Sequence, residues 1–243
     1  MTREARSYLV AAAAGIIGGS SLLFFGAFLV WGPRGWVDLG LGDAGALAVD
    51  GALCLAFFLQ HSVMIRASFK RRMSGAIPQR YHGAVYAIAS GVVLIVLVFL
   101  WQEVPGTFYS LNGVPRLVLR VLIPAAVVVF VWGVRSLESF DTFGLSPLRA
   151  GGGDGSPDTM PLTIRGAYRM VRHPLYLSML MVVWAYTALS WDRLLFNMSW
   201  TVWVVAATRL EEHDLVAAFG DSYREYQSRV PMLMPWRGIN RGA

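Results

Sequence analysis

Long uncharged runs alternate with short polar stretches along most of this chain. Leu9–Trp31 carries no charge at all, and its Gly15, Gly18 and Gly19 favour close helix packing. Ala46–Ile65 follows, interrupted by Asp50 and by Gln60-His61-Ser62. Next come Ala84–Trp101 and about Leu117–Leu137, the latter with Arg120 near its start and Pro124 placed to kink it. Further on, the uncharged runs Pro174–Trp191 and Leu194–Thr208 are separated only by Asp192-Arg193. At about 1.5 Å per helical residue, such runs cross most of a hydrocarbon layer ~30 Å thick. The pattern predicts an all-α integral membrane bundle of about six transmembrane helices, the last two forming a helical hairpin. One domain, 1–243, holds four amino-terminal helices in 9–137 and the hairpin with its tail in 164–236. The glycine-rich Arg149–Met160 segment reads as a loop, either a lid or a tolerated insertion.

Composition agrees with a membrane protein and argues against a soluble globular domain. The chain is 56 % hydrophobic and 15 % charged, with mean hydropathy +0.51, against roughly 25 % charge in an ordinary domain. Its net charge of +6 does not indicate nucleic acid, because the basic residues cluster at the ends of apolar runs. There they act as topology signals and contact lipid headgroups. Arg3 and Arg6 precede the first run, and Arg66, Lys70, Arg71, Arg72 and Arg80 lie between the second and third. The opposite loops carry Arg34, then Arg116 near the next helix boundary. Both termini are therefore expected in the cytoplasm. The single cysteine, Cys54, leaves no disulfide framework and reads as a small core residue.

The chemistry concentrates at the two feet of the hairpin. Arg172, His173 and Tyr176 stand at one foot and Glu211, Glu212 and His213 at the other, with the almost wholly apolar stretch from Pro174 to Leu210 between them. Arg172 offers a planar charged fork, His173 a donor or base, and the glutamates offer acceptors. Pro174 starts a helix with its φ already set. A zwitterionic, ribose-bearing cation suits this set. An Arg172–Glu212 or Arg169–Glu211 ion pair locking the hairpin is the alternative. No short His/carboxylate spacing supports a metal, so none is expected. No glycine-rich nucleotide fingerprint follows a strand either.

GAYRMVRHPLYLSML (from Gly166), the apolar hairpin and RLEEHDLVAAFGDSYREYQSRVPMLMP (from Arg209) resemble the isoprenylcysteine carboxyl methyltransferase and phospholipid methyltransferase superfamily. The resemblance covers the carboxy-terminal part of the chain, from Gly166 onward. It implies that S-adenosylmethionine binds on the cytoplasmic side, held by Tyr168, Arg172, His173, Pro174, Tyr176, Glu211 and Glu212. Tyr223, Tyr226, Arg229 and Pro231 match the family's tail. Further upstream, FFLQHSVMIRASFKRR (Phe57–Arg72), Tyr86, Trp101 and SFDTFGL (Ser139–Leu145) are similar to the bacterial methanethiol S-methyltransferases. They are also similar to membrane proteins associated with nitric-oxide-reductase gene clusters. PQRYHGAVY (Pro78–Tyr86) departs from the acidic-Arg-Ser pattern of the thiol enzymes.

The resemblance implies an enzyme of the bacterial inner membrane that methylates a small thiol such as methanethiol, yielding dimethyl sulfide. Its partners are the thiol and membrane lipids, with no nucleic acid. A thiol reacts as its thiolate, so a base or a favourable field is needed, and His61 and Asp141 are the catalytic candidates. Asp50 and His61 also carry the general expectation for ionisable groups inside a membrane helix. For His61 a satisfied interhelical hydrogen bond is the competing reading. Methylation of a lipid or prenylcysteine carboxylate, or a non-catalytic membrane role, are the alternatives for the whole chain.

Overall fold

A computed structural model of the chain describes residues 2–137, 141–149, 162 and 164–235. Residues 150–160 of the glycine-rich segment, Ser139 and Phe140 of SFDTFGL, and residue 236 of the tail lie outside the described residues. The chain divides into two compact units. The first comprises Met1–Gly106, Asp141–Asp158 and Ser190–Phe196, and the second Thr107–Phe140, Thr159–Leu189 and Asn197–Ala243.

The first unit is built on α1 (Arg3–Trp31), α2 (Asp43–Ile65), a short α3 (Ala67–Met73) and α4 (His82–Leu100). Thr2 caps α1, its hydroxyl accepting the Ala5 N–H at 3.3 Å, and Gly32 ends it at φ 84°. Small residues let α1 and α4 approach: a Cβ on Gly91 would lie 3.1 Å from Ile17. Of the three glycines expected to serve close helix packing in α1, only Gly18 meets a neighbour, and that neighbour lies in a turn rather than a helix. A Cβ on Gly18 would press into the Phe143 ring at 2.7 Å, whereas Gly15 and Gly19 face open space. Gly144 (φ +64°) brings the 141–149 segment, with α6 (Ser146–Arg149), backbone to backbone against Gly83.

Asp50 is fully buried and stabilises a turn. Its Oδ1 accepts the Gln102 N–H at 2.9 Å, just after α4 ends. Nearby polar groups are treated alike: the Trp101 indole donates to Asp192 at 3.2 Å, and Arg193 donates to the Phe28 and Leu29 carbonyls near the end of α1.

The second unit contains α5 (Gly113–Ser136), which continues through Pro124, a 3₁₀ turn (Gly166–Arg169), α7 (Pro174–Trp184) and α9 (Asp221–Arg229). Helix α8 (Trp191–Phe219) begins in the first unit and runs on into the second. Beside these helices, β1 (Thr107–Ser110) pairs with β2 (Ala188–Ser190) in a two-stranded sheet. Among the described residues the rest of the regular structure is helical.

Among the described residues four helices are long and apolar enough to cross a membrane: Arg3–Trp31, Asp43–Ile65, Gln79–Leu100 and Gly113–Ser136. The hairpin differs from the expected pair of spans. The run Pro174–Trp191 is not one helix, because α7 stops after 11 residues, about 17 Å. The Trp184 indole is anchored to Thr201 at 3.0 Å, and Thr187 turns its carbonyl to the Leu111 N–H at 2.9 Å, leading into β2. Strand pairing thus interrupts a stretch that, after its first residue Pro174, carries no glycine, proline or charge to mark the break. Helix α8 in turn takes Asp192, Arg193, Glu211 and Glu212 into a single helix of 29 residues.

Candidate functional site

The polar residues of the second unit converge on one carboxylate. Pro174 occupies the first turn of α7, leaving His173 (φ −129°, ψ 68°) as its N-cap residue with Arg172 just before it. Their N–H groups donate to the carbonyls of Pro231 (2.9 Å) and Met232 (3.1 Å), which fixes the tail after α9 against the start of α7. With the backbone held this way, both side chains reach α8. Arg172 Nε donates to Glu212 Oε1 at 2.6 Å, and His173 Nε2 lies 3.1 Å from the same oxygen. Gln227 of α9 donates to Glu212 Oε2 at 3.0 Å. Arg172 Nη1 also donates to the carbonyls of Gln227 (3.0 Å) and Val230.

This cluster is dry. The Arg172 and Glu212 side chains are only 9 % and 11 % exposed. Burial favours the neutral acid at Glu212, but Arg172, His173 and Gln227 outweigh it and hold the carboxyl below its usual range. His173 moves the opposite way. Burial outweighs its two glutamate neighbours and depresses its pKa, so the neutral ring donates its Nε2–H to Glu212.

Glu211, one residue earlier on α8, has a different environment. Its side chain is 45 % exposed, it accepts the Tyr176 hydroxyl at 2.8 Å, and its Oε2 stands 3.9 Å from His173 Nδ1. The His173 and Tyr176 rings stack at 5.6 Å. Glu211 and the half-buried Tyr176 therefore remain accessible beside the buried ion pair, while His173 is itself only 5 % exposed. Of the two ion pairs named from the sequence, Arg172–Glu212 forms, while Arg169 turns to the Ile164 carbonyl. His213 is exposed and faces only Asp214.

Tyr168 sits in the 3₁₀ turn with its carbonyl accepting the Tyr226 hydroxyl at 2.5 Å. Burial and the Glu211 charge push its phenol up to about 12, so it stays protonated. Ser136 supports the turn, its hydroxyl accepting the Ala167 N–H at 3.1 Å while its carbonyl accepts Arg165 Nε. Gly166 is required there, at φ +54° and packed directly on Ser136. Neither Gln227 nor Ser136 stands out in the sequence. The position of Gln227 beside Tyr226 in the tail motif was the only available signal.

The two catalytic candidates both lie in the first unit. His61 faces Tyr86 across α2 and α4, with the hydroxyl 2.7 Å from Nε2 and 3.0 Å from Nδ1. It therefore makes the interhelical contact weighed as its competing reading. Gln60 beside it donates to Ser90 at 3.2 Å. Asp141 caps a turn, accepting the N–H groups of Leu145 (2.9 Å) and Ser146 (2.7 Å). Partial burial would raise its pKa, but these backbone donors bring it below the usual carboxylate value and make it a weak base. Among the described residues no group of three or more His, Cys, Asp or Glu side chains is disposed to hold a metal ion.

The model of the NnrU protein family matches residues 51–232, three-quarters of the chain and all of the clusters above. The chain belongs to the NnrU protein family. Among its relatives, methanethiol S-methyltransferase of Pseudomonas deceptionensis is 36 % identical over 215 residues, covering 85 % of this chain and 80 % of its own. Methanethiol S-methyltransferase 2 of Bradyrhizobium diazoefficiens is 32 % identical over 223 residues, 88 % and 83 % of the two chains. Nurim of Xenopus laevis is more distant, 28 % identical over 180 residues, covering 69 % of this chain and 62 % of its own. No solved structure matches this NnrU chain.

Proposed function

We propose that this protein is a membrane methyltransferase that uses S-adenosylmethionine to methylate a small thiol, methanethiol in particular, in the bacterial inner membrane with both termini cytoplasmic. The observation that carries this reading is the convergence of Arg172, His173 and Glu212, with Glu211 and Tyr176 accessible beside them, in a chain whose relatives bear the methanethiol S-methyltransferase name.

The donor set fits the cofactor. A half-exposed carboxylate beside a stacked His/Tyr pair suits a ligand carrying an ammonium, a sulfonium and ribose hydroxyls. In this reading Glu211 and Tyr176 contact the ligand. Glu212 orients Arg172 and His173, Pro174 sets the start of α7, and Tyr168 completes the set as a neutral phenol. Bound there, S-adenosylmethionine supplies a methyl group that is already electrophilic. What the protein adds is alignment and a dry acceptor pocket. His61 is proposed to receive the thiol proton, with Tyr86 bonded to its ring, and Asp141 to contribute negative charge and a rigid loop.

Isothermal calorimetry and headspace chromatography on the purified protein test this together. Glu211→Ala and Arg172→Ala are expected to weaken S-adenosylmethionine binding by about 10-fold or more, since a charge-assisted contact is worth about 1.5–3 kcal/mol. Methanethiol should yield dimethyl sulfide. Unchanged affinity in both variants would reduce the cluster to a structural ion pair, and label appearing on lipid with no dimethyl sulfide would replace the acceptor.

A further inference from the structure

Two cavities of the first unit share a pair of arginines. One, about 1000 Å³, is bounded by Arg3 and Arg80 and continues along α1 past Ala12, Gly15 and Ile16, with Pro147 and Leu148 opposite. The other, about 600 Å³, is bounded by Arg3, Arg6 and Arg80 over Leu9, Val10 and Val85. Both are therefore cationic at one end and apolar beyond it. Between them Ser7, which lines the first, bonds Tyr81, which lines the second, at 3.1 Å.

The chemistry at the shared end calls for an anion. Three guanidinium groups stand against one carboxylate, Glu4. Arg80 lies over the Tyr81 ring at 4.8 Å, and its Nε is buried without a hydrogen-bond acceptor. The apolar depth is also informative. From Arg3 to Ile16 the helix rises about 20 Å, which spans a headgroup layer and the ~15 Å hydrocarbon half of a bilayer. A Cβ at Gly15 would meet nothing within 4 Å, so this wall of α1 is left open.

From these features we infer that α1, the Gln79–Tyr81 turn and α6 form a binding site for one anionic diacyl phospholipid. Its phosphate sits among Arg3, Arg6 and Arg80, and one acyl chain lies in each groove. Two apolar grooves diverging from a single cationic mouth match a lipid with two chains and one charge, and basic pockets of this kind hold anionic headgroups in other membrane proteins. The site is independent of the methyl-transfer reading.

Native mass spectrometry of the detergent-solubilised full chain tests it, with palmitoyl-oleoyl phosphatidylglycerol and palmitoyl-oleoyl phosphatidylcholine as probes. The wild type should retain the anionic lipid at least five-fold more than the zwitterionic one. Arg3→Gln with Arg80→Gln should erase that preference, as each basic residue near a headgroup is worth about five-fold. Gly15→Leu, whose Cβ meets nothing within 4 Å, should reduce retention of both lipids while keeping the preference. Arg34→Gln, beyond the other end of α1, should change neither. Equal retention of the two lipids by the wild type overturns the site, as does a preference that survives the double substitution. Full displacement of the lipid by soluble glycerol phosphate would make it a free-anion site instead and also overturn the proposal.

Discussion

Glu211 and Glu212 are adjacent in sequence yet differ in burial, partners and charge. On a helix, neighbours point about 100° apart, so one faces the Arg172 side while the other looks outward. Removing Glu212 strands Arg172 in a dry environment, and Glu212→Ala is expected to cost about 3–5 kcal/mol of stability. Glu211→Ala removes one exposed acceptor of the Tyr176 hydroxyl and should cost about 1 kcal/mol or less. Chemical unfolding in detergent, with equal costs for the two, would contradict this division. Acid should expose the same cluster. Glu212 has a folded value below its ordinary 4.5, so its contribution is present above that pH and lost as pH falls through the folded value. His173 also has a depressed value. The unfolded chain takes up its proton near 6.5 while the folded chain refuses it, so stability declines from about pH 6.5 downward. His173→Gln should flatten that slope between pH 7 and 5. The residues of this cluster were legible in the sequence because the hairpin returns the chain to its own foot. Which glutamate is buried was not, since the phase of α8 is set by packing. Nor were the acceptor carbonyls of Gln227 and Val230, which depend on the path of the tail.

At the level of elements, the placement of Arg172 and His173 depends on how α7 is seated on α5. A Cβ on Gly133 of α5 would fall 2.8 Å from Leu175 and 3.4 Å from Pro174, so the start of α7 rests on a glycine surface. Gly133→Val should overpack this contact, at a cost of about 1–3 kcal/mol, and displace the residues just before Pro174. Thermal unfolding and S-adenosylmethionine titration of the same variant would show both losses. Weakened binding with unchanged stability would mean that Gly133 does not seat α7. The four amino-terminal runs were legible because length and hydrophobicity alone decide a span. The stop at Trp184 was not. It comes from Thr187 bonding Leu111, a pairing with a strand far back in the chain, before α5, that no local pattern announces. The glycine contacts show the same limit: three glycines in α1 looked equivalent, and only the arrival of Phe143 singles out Gly18.

On the scale of the whole molecule, the expected number of membrane crossings turns on the second unit. Pro174 and Leu175 pack near the end of α5, at Gly133, whereas Thr187 is bonded to Leu111, just before α5 begins. Between those points the chain travels from one end of α5 to the other. Helix α5 has 24 residues, about 36 Å, while 11 helical residues and a short extended segment supply roughly 25 Å. That supply falls short of the full length of α5, so the six-crossing expectation requires side-chain reach at Leu175 and at the Thr187 turn to make up the remainder, since the helix of α7 alone is too short to cross. Helix α8, 29 residues or about 43 Å, is long enough to return. Reporter fusions after Leu111 and after Thr187 should therefore report the same side, and fusions after Val171 and after Phe219 the other. By the arginine counts, that other side is expected to be the cytoplasm. If the Thr187 fusion reports with Val171 instead, the 174–187 segment enters and leaves by one face. The hairpin would then be re-entrant, and the expectation of six crossings would fall to four with Phe219 on that same face, or to five with Phe219 opposite.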